Sequence, residues 1–267
     1  MDMFIYRFMA GVIAAAALTW ASPGSAGWVI DETAKGGAGG RQQVMMQANR
    51  IKSVVFEGGK PVSAFVVDLD AQTLTQVDYK ERYYFTATVQ EYVQTFRGAM
   101  SGVMKEMQEA LKGMSAEDRK VMEQMMPQQA QPDCREPRTE LRKTGQQTTV
   151  AGYPATRYDL LEDGKAASEL WIAKGITAWR ELDGKKLERF MAEMAKLAGC
   201  PGQGRRVASG ADQSWKLAGE GYPVRTVERR GGTMVEVVKA ERRAIPAEEF
   251  QPPAGFARKS LREVMKL

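Results

Sequence analysis

Short runs of alternating apolar and polar residues, set between Gly- and Pro-bearing turns, constrain this chain more than any other feature. Four such phrases stand out: VAGYPATRYDL from Val150, ASELWIA from Ala167, GYPVRTVE from Gly221 and IPAEEFQPPAGF from Ile245. Successive strand side chains point to opposite faces, so each run carries one apolar and one polar side. Turns this short join antiparallel neighbours, because parallel neighbours need a crossover of about a dozen residues or more.

The same pattern fills the chain from Trp28 to Val89. Trp28 to Ile30 opens a strand, and AKGGAGG from Ala34 reads as a loop. Gln42 to Phe56 reads as one long strand, followed by a turn at Gly58-Gly59. Val62 to Val77 holds two strands about a turn at Asp70 to Thr73, with Phe65, Val67 and Leu69 on one face. Lys80 to Val89 follows, placing Tyr83, Phe85, Ala87 and Val89 on one side. Thr139 to Ile176 alternates in three pieces, turning at Gly152-Tyr153-Pro154 and Glu162-Asp163-Gly164. Tyr222 to Val227 and Met234 to Ala240 form a hairpin about Gly231-Gly232.

Between these blocks the period lengthens. Phe96, Met100, Val103, Met104, Met107, Leu111 and Met114 recur at helical spacing, with Gly113 as a stop. Ser115 is placed to cap a second helix running to about Met126, before Pro127. Leu187, Phe190, Met191, Met194 and Leu197 form another apolar stripe, ended by Gly199. PAEEF from Pro246 reads as a short helical or extended turn, and Leu261 to Leu267 as a last helical turn or a frayed tail. The fold class expected is α+β: a curved antiparallel half-barrel sheet with helices covering its concave face.

The first 26 residues read as a secretory leader: Arg7 in a short basic start, an apolar run from Phe8 to Trp20, and Gly24 and Ala26 before a cut ahead of Gly27. That run has 13 residues, short of the roughly 20 that span a bilayer. Residues 27–267 are then expected to form one half-barrel domain, with helical insertions near 90–126 and 180–198, in the periplasm or medium. Net charge is +5, but basic and acidic residues alternate along the chain. A mixed, solvated surface follows, with no nucleic-acid partner and at most peripheral contact with a membrane.

The chain has no histidine. That excludes Ser-His-Asp and Cys-His catalysis and His-ligated zinc, so no enzyme, metal or cofactor is expected. Cys134 and Cys200 are the only cysteines, each beside Pro or Gly in a loop. In an oxidising compartment they are expected to form a disulfide, contributing about 4 kcal/mol by the chain-entropy account.

VVDLD from Val66, QVDYKERYYFTAT from Gln76, VAGYPATRYDL, SELWIA, GYPVRTVE and FQPPAGF occur in that order over most of residues 28–257. In this the chain resembles an exported bacterial family known as domain of unknown function 4412, which is similar in turn to the periplasmic lipoprotein-carrier superfamily. The resemblance implies an open half-barrel with helices over its concave side. Its carrier branch implies a lipid or lipoprotein acyl chain as partner.

The candidate apolar groove comprises Phe65, Val67, Phe85, Phe96, Met100, Met104, Met107, Phe190 and Met194. Thioether side chains repack at low cost and suit either a groove or a plain core. Asp68, Asp70 and Asp78 are read as turn-capping carboxylates rather than metal ligands. Asp159 and Glu169, on strands of one block, lack a partner spacing for acid/base work. Tyr153 and Tyr222, each between Gly and Pro, are expected to pack over a sheet edge. The expected function is sheltering an apolar ligand under a helical lid. The alternative is an envelope protein-interaction or sensing module with a filled core.

Overall fold

The computed structural model describes residues 26–36, 40–112, 138–198, 219–229 and 231–266. Twelve strands among them build one sheet: β1 (Ala26–Lys35), β2 (Gly40–Gln47), β3 (Arg50–Glu57), β4 (Lys60–Asp68), β5 (Thr73–Asp78), β6 (Tyr83–Thr88), β7 (Thr139–Val150), β8 (Tyr153–Glu162), β9 (Lys165–Ala173), β10 (Tyr222–Glu228), β11 (Met234–Ala244) and β12 (Ala257–Arg258). Three helices accompany them: α1 (Val89–Lys112), α2 (Gly184–Ala195) and α3 (Leu261–Met265).

The strand order is β12-β6-β5-β4-β3-β2-β1-β11-β10-β9-β8-β7, an open sheet. Neighbours pair antiparallel as expected, except for β12, a two-residue parallel bridge to β6. The sheet is strongly curved. β8 lies three strands from β11, yet the Tyr153 hydroxyl donates to the Ala240 carbonyl at 3.1 Å.

Turn chemistry sets the register. Four hairpins close on two residues that both have positive φ: Ala48-Asn49, Gly58-Gly59, Ala151-Gly152 and Asp163-Gly164. Such turns twist with the strands they join. The β4–β5 and β5–β6 links are longer and alike. Asp68 Oδ1 accepts from the backbone N–H groups of Asp70 and Ala71, and Asp78 Oδ1 from that of Glu81. The carboxylates of Asp68 and Asp78 therefore cap turns, as their spacing suggested.

The expected single strand from Gln42 to Phe56 is corrected: it is β2 and β3, folded at Ala48-Asn49. Asn enters the left-handed region readily, but Ala rarely does, so no glycine marks the turn. Val89 is likewise corrected, since it opens α1 rather than ending β6. The expected helix at Ser115 to Met126, the disulfide of Cys134 and Cys200, and the leader up to Ser25 lie outside the described residues.

The sheet buries both faces. On one, which carries the helices, Trp28, Ile30, Val44 and Met46 join Val150, Ala155, Ala173, Tyr222, Val224 and Val237 in one cluster. Val67, Leu74, Phe85 and Ala87 continue that face beneath α1, α2 and α3. On the opposite face, Val29, Met45 and Val66 are covered by Ile245 and Phe250 from the segment after β11. Further along, Val54, Ala64 and Val77 meet Phe256. That segment, Ile245–Phe256, crosses the sheet as a strap.

Candidate functional site

The helix-bearing face is the candidate site, and α1 is its longest element, at 24 residues. It starts straight from β6. The Thr88 hydroxyl accepts from the Glu91 N–H at 3.1 Å, and Glu91 places negative charge at the helix N-terminus. Val89 and Val93, one turn apart, are buried on the sheet. Tyr92 stacks between Phe85 and Phe96, with ring centroids 6.3 Å from each. Beyond that turn the stripe emerges: Met100 is 49% exposed and Val103 58%.

α2 docks beside it through hydrogen bonds to Asn49 and Gln72, in the β2–β3 and β4–β5 turns. Asp183 caps the helix, its side chain accepting from the N–H groups of Lys185 and Lys186. The Asp183 N–H donates to Asn49 Oδ1 at 2.7 Å, and the Asn49 N–H to the Glu181 carbonyl at 2.9 Å. Gln72 Nε2 donates to the Lys186 carbonyl at 3.3 Å. Asp70 completes this polar rim by pairing with Lys186 and Asn49. The Lys186 ammonium, with Asn49, holds the Asp70 carboxyl below its usual range. Phe190 is thereby pressed into the apolar cluster, with Leu187, Met191 and Met194 around it.

Of the nine groove residues expected from the sequence, Phe65, Val67, Phe85, Phe190 and Met194 meet in one cluster. Phe96 is half-buried at its margin against Tyr92. Met100 stands on the exposed stretch of α1, while the side chains of Met104 and Met107 lie outside the described residues.

Two polar groups on the same face escaped the sequence reading. Tyr222 is not at a sheet edge, as its Gly-Tyr-Pro setting suggested. It is buried mid-sheet, stacked on Trp179 at 5.7 Å, and its hydroxyl donates to Glu32 at 2.9 Å. Burial pushes the Glu32 carboxyl above its ordinary range, and the Tyr222 bond pulls it partly back. The Tyr222 hydroxyl is pushed well above its own, by burial first and the Glu32 charge second. Trp179 belongs to a 3-10 turn, Ala178–Glu181, whose only local signal is the aromatic itself.

The second group is a ladder across β8, β9, β10 and β11, where Arg157, Trp171, Arg225 and Glu236 lie side by side in register. Arg157 pairs with Asp159 at 2.8 Å and Glu169 at 3.5 Å, while Glu169 also takes Arg229. Arg225 pairs with Glu236 and lies over Trp171. Asp159 and Glu169 are thus both paired with arginines. Among the described residues no three His, Cys, Asp or Glu side chains gather as a metal site. No described helix is long and apolar enough to cross a membrane.

No curated protein matches the chain in sequence. Among solved structures, MucB in complex with MucA(peri) has 11% identity and a TM-score of 0.36, over 87% of this chain and 56% of that one. The Pseudomonas aeruginosa MucA/MucB complex has 12% identity and a TM-score of 0.35, over 86% and 56%. MucB alone has 10% and 0.36, over 87% and 58%. The chain spans a little over half the length of these structures, and no residue role is carried over from them. The model of the family described as domain of unknown function (DUF4412) matches residues 86–256, from β6 through the strap and well over half of the chain, and the protein belongs to that family.

Proposed function

We propose that this is an exported, non-enzymatic binding protein that shelters an apolar ligand, a lipid or acyl chain, on the concave, helix-bearing face of its sheet. One observation carries the reading. The apolar stripe of α1 is continuous from Val89 and Val93 in the core to Met100 and Val103 in the open. Burying such side chains stabilises by roughly 1.5–3 kcal/mol each, so an exposed continuation of a core stripe favours an apolar occupant. Histidine is absent from the sequence, and the ladder carboxylates are tied to arginines, which supports a binding role over a catalytic one.

Native mass spectrometry of the protein after incubation with cell-envelope lipids tests this. The expected result is a lipid-bound species, weakened at least about tenfold by Met100→Glu or Val103→Glu with the melting temperature unchanged. Absence of any bound lipid in the wild type would sink it.

A second reading, a protein-interaction or sensing module, draws on the dense packing of Val67, Phe85 and Phe190 at the base of α1. Here α1 would present its stripe to a protein. Affinity capture from envelope extracts that recovers one protein without lipid, and loses it in the Met100→Glu variant, favours this reading over the first.

A further inference from the structure

The segment after β11 touches both faces of the sheet. Ile245 and Phe250 lie on the strap face, where Arg50 stacks over the Phe250 ring. Gly27 leaves room for this: a Cβ there would stand 2.8 Å from the Ile245 side chain. Lys52 is only 7% exposed on the same face, and its ammonium donates to the Glu249 carbonyl at 2.6 Å and carboxylate at 3.0 Å. After β12 the chain rounds the β6 edge, and α3 then packs against α1 and β6 on the other face. Leu261 is buried there among Phe85, Ala87 and Val93, with Val264 and Met265 beside it.

We infer that the strap, together with β12 and α3 (Ile245–Met265), is a detachable unit that fixes the position of α1, so that its opening frees α1 without opening the sheet. Its attachment is unlike that of the other strands. It joins the ladder through two residues of β12, aided by the Ala257 N–H to Arg82 and Lys259 N–H to Tyr84 backbone bonds. The rest is held by side chains alone: Ile245 and Phe250 on the strap face, Phe256 against Tyr79, the Lys52–Glu249 pair, and Leu261 on the other face. Segments held by few ladder bonds open as separate units below the global unfolding free energy. α3 itself depends on a capping box: Ser260 Oγ accepts from the Glu263 N–H, and the Ser260 N–H donates to the Glu263 carboxylate at 2.6 Å. Because α3 is wedged between β6 and the first turns of α1, its loss removes one wall of the α1 seat. The inference concerns where α1 sits and holds whatever α1 binds.

Amide hydrogen exchange on the whole protein, read peptide by peptide, provides the test. Ser260→Ala removes the cap and is expected to speed exchange about fivefold in α3 and in Val89–Phe96 together. Leu261→Asp is expected to speed both at least about tenfold. β8 and β9 should exchange as in the wild type in each case. Faster exchange in α3 alone overturns the inference, since α1 would then be seated without it. Equal acceleration in α1, β8 and β9 overturns it as well, because the strap would then open only with the whole sheet. Ser260 lies at the surface, so its variant supplies the answer if Leu261→Asp does not fold.

Discussion

Glu32 is the residue with the most chemical tension, a carboxyl 9% exposed whose bond from Tyr222 only partly offsets the cost of burial. A folded-state pKa raised above the unfolded value means that the native state holds its proton more tightly. Stability from this group is therefore full below the ordinary carboxylate range and is lost as pH rises through the raised value. Glu32→Gln should flatten that fall, read as a shallower slope of unfolding free energy between about pH 4 and pH 7 in urea titrations. Tyr222→Phe should act in the opposite sense. It removes the donor that favours the charged form, costing about 1–3 kcal/mol, with the larger loss at pH 8 than at pH 5. Equal losses at both pH values would show that Glu32 stays protonated throughout. Next to Tyr222, Gly221 has φ +135° and a would-be Cβ 2.3 Å from the Ala173 carbonyl oxygen. Gly221→Ala should therefore cost several kcal/mol, seen as a lowered denaturation midpoint. The GYP phrase was legible as a turn, but the burial of its Tyr was not. Glu32 is 190 residues away in sequence, and nothing near either residue announces the pair.

At the level of elements, docking by hairpin tips explains which parts of the site could be read in advance. The stripe of α2 followed from spacing alone, as did the strand pairs from Thr139 to Ala173, because period and Gly-marked turns agree there; on α1 the spacing was read only from Phe96, and the buried first turns of Val89 and Val93 were missed. The β2–β3 hairpin was hidden, since Ala48 and Asn49 carry no glycine. The same Asn49 then holds α2, accepting from Asp183 and donating to Asp70. One unread turn thus concealed one anchor of the site. Asn49→Ala should lose both side-chain bonds and strain the turn, lowering stability by about 1–3 kcal/mol. Asp183→Ala, which removes only the cap, should cost about 1 kcal/mol. Hydrogen exchange would separate them: both variants loosen α2, but only Asn49→Ala should also loosen the ends of β2 and β3. The β12 bridge and the route of the strap were not legible either. Two residues are too few for a period, and the anchor at Lys52 is set by contacts nearly two hundred residues apart.

Over the whole molecule, β1 is the strand that makes one sheet of two blocks. It pairs with β2 on one side and with β11 on the other, so among the described residues the hydrogen-bonded ladders of β2–β6 and β7–β11 are joined only through it. The family match begins at residue 86, inside β6, and therefore leaves out β1 to β5. A fragment of residues 86–256 would keep Val150, Ala155, Ala173, Tyr222 and Val224 but lose Trp28, Ile30, Val44 and Met46 from the same cluster. Four such side chains contribute on the order of 6–12 kcal/mol at roughly 1.5–3 kcal/mol each. That rivals the whole net stability of an ordinary domain, about 5–15 kcal/mol. β11 would also present a bare edge along its pairing with β1, and Ile245 and Phe250 would lose Val29, Met45 and Val66 beneath them. The fragment should accordingly show no cooperative thermal transition, whereas the chain from residue 26 should melt in a single one. Circular dichroism and calorimetry on both would decide it. A sharp transition in the fragment would mean that the β7–β11 block is a domain in its own right, with β1 to β5 an addition to it.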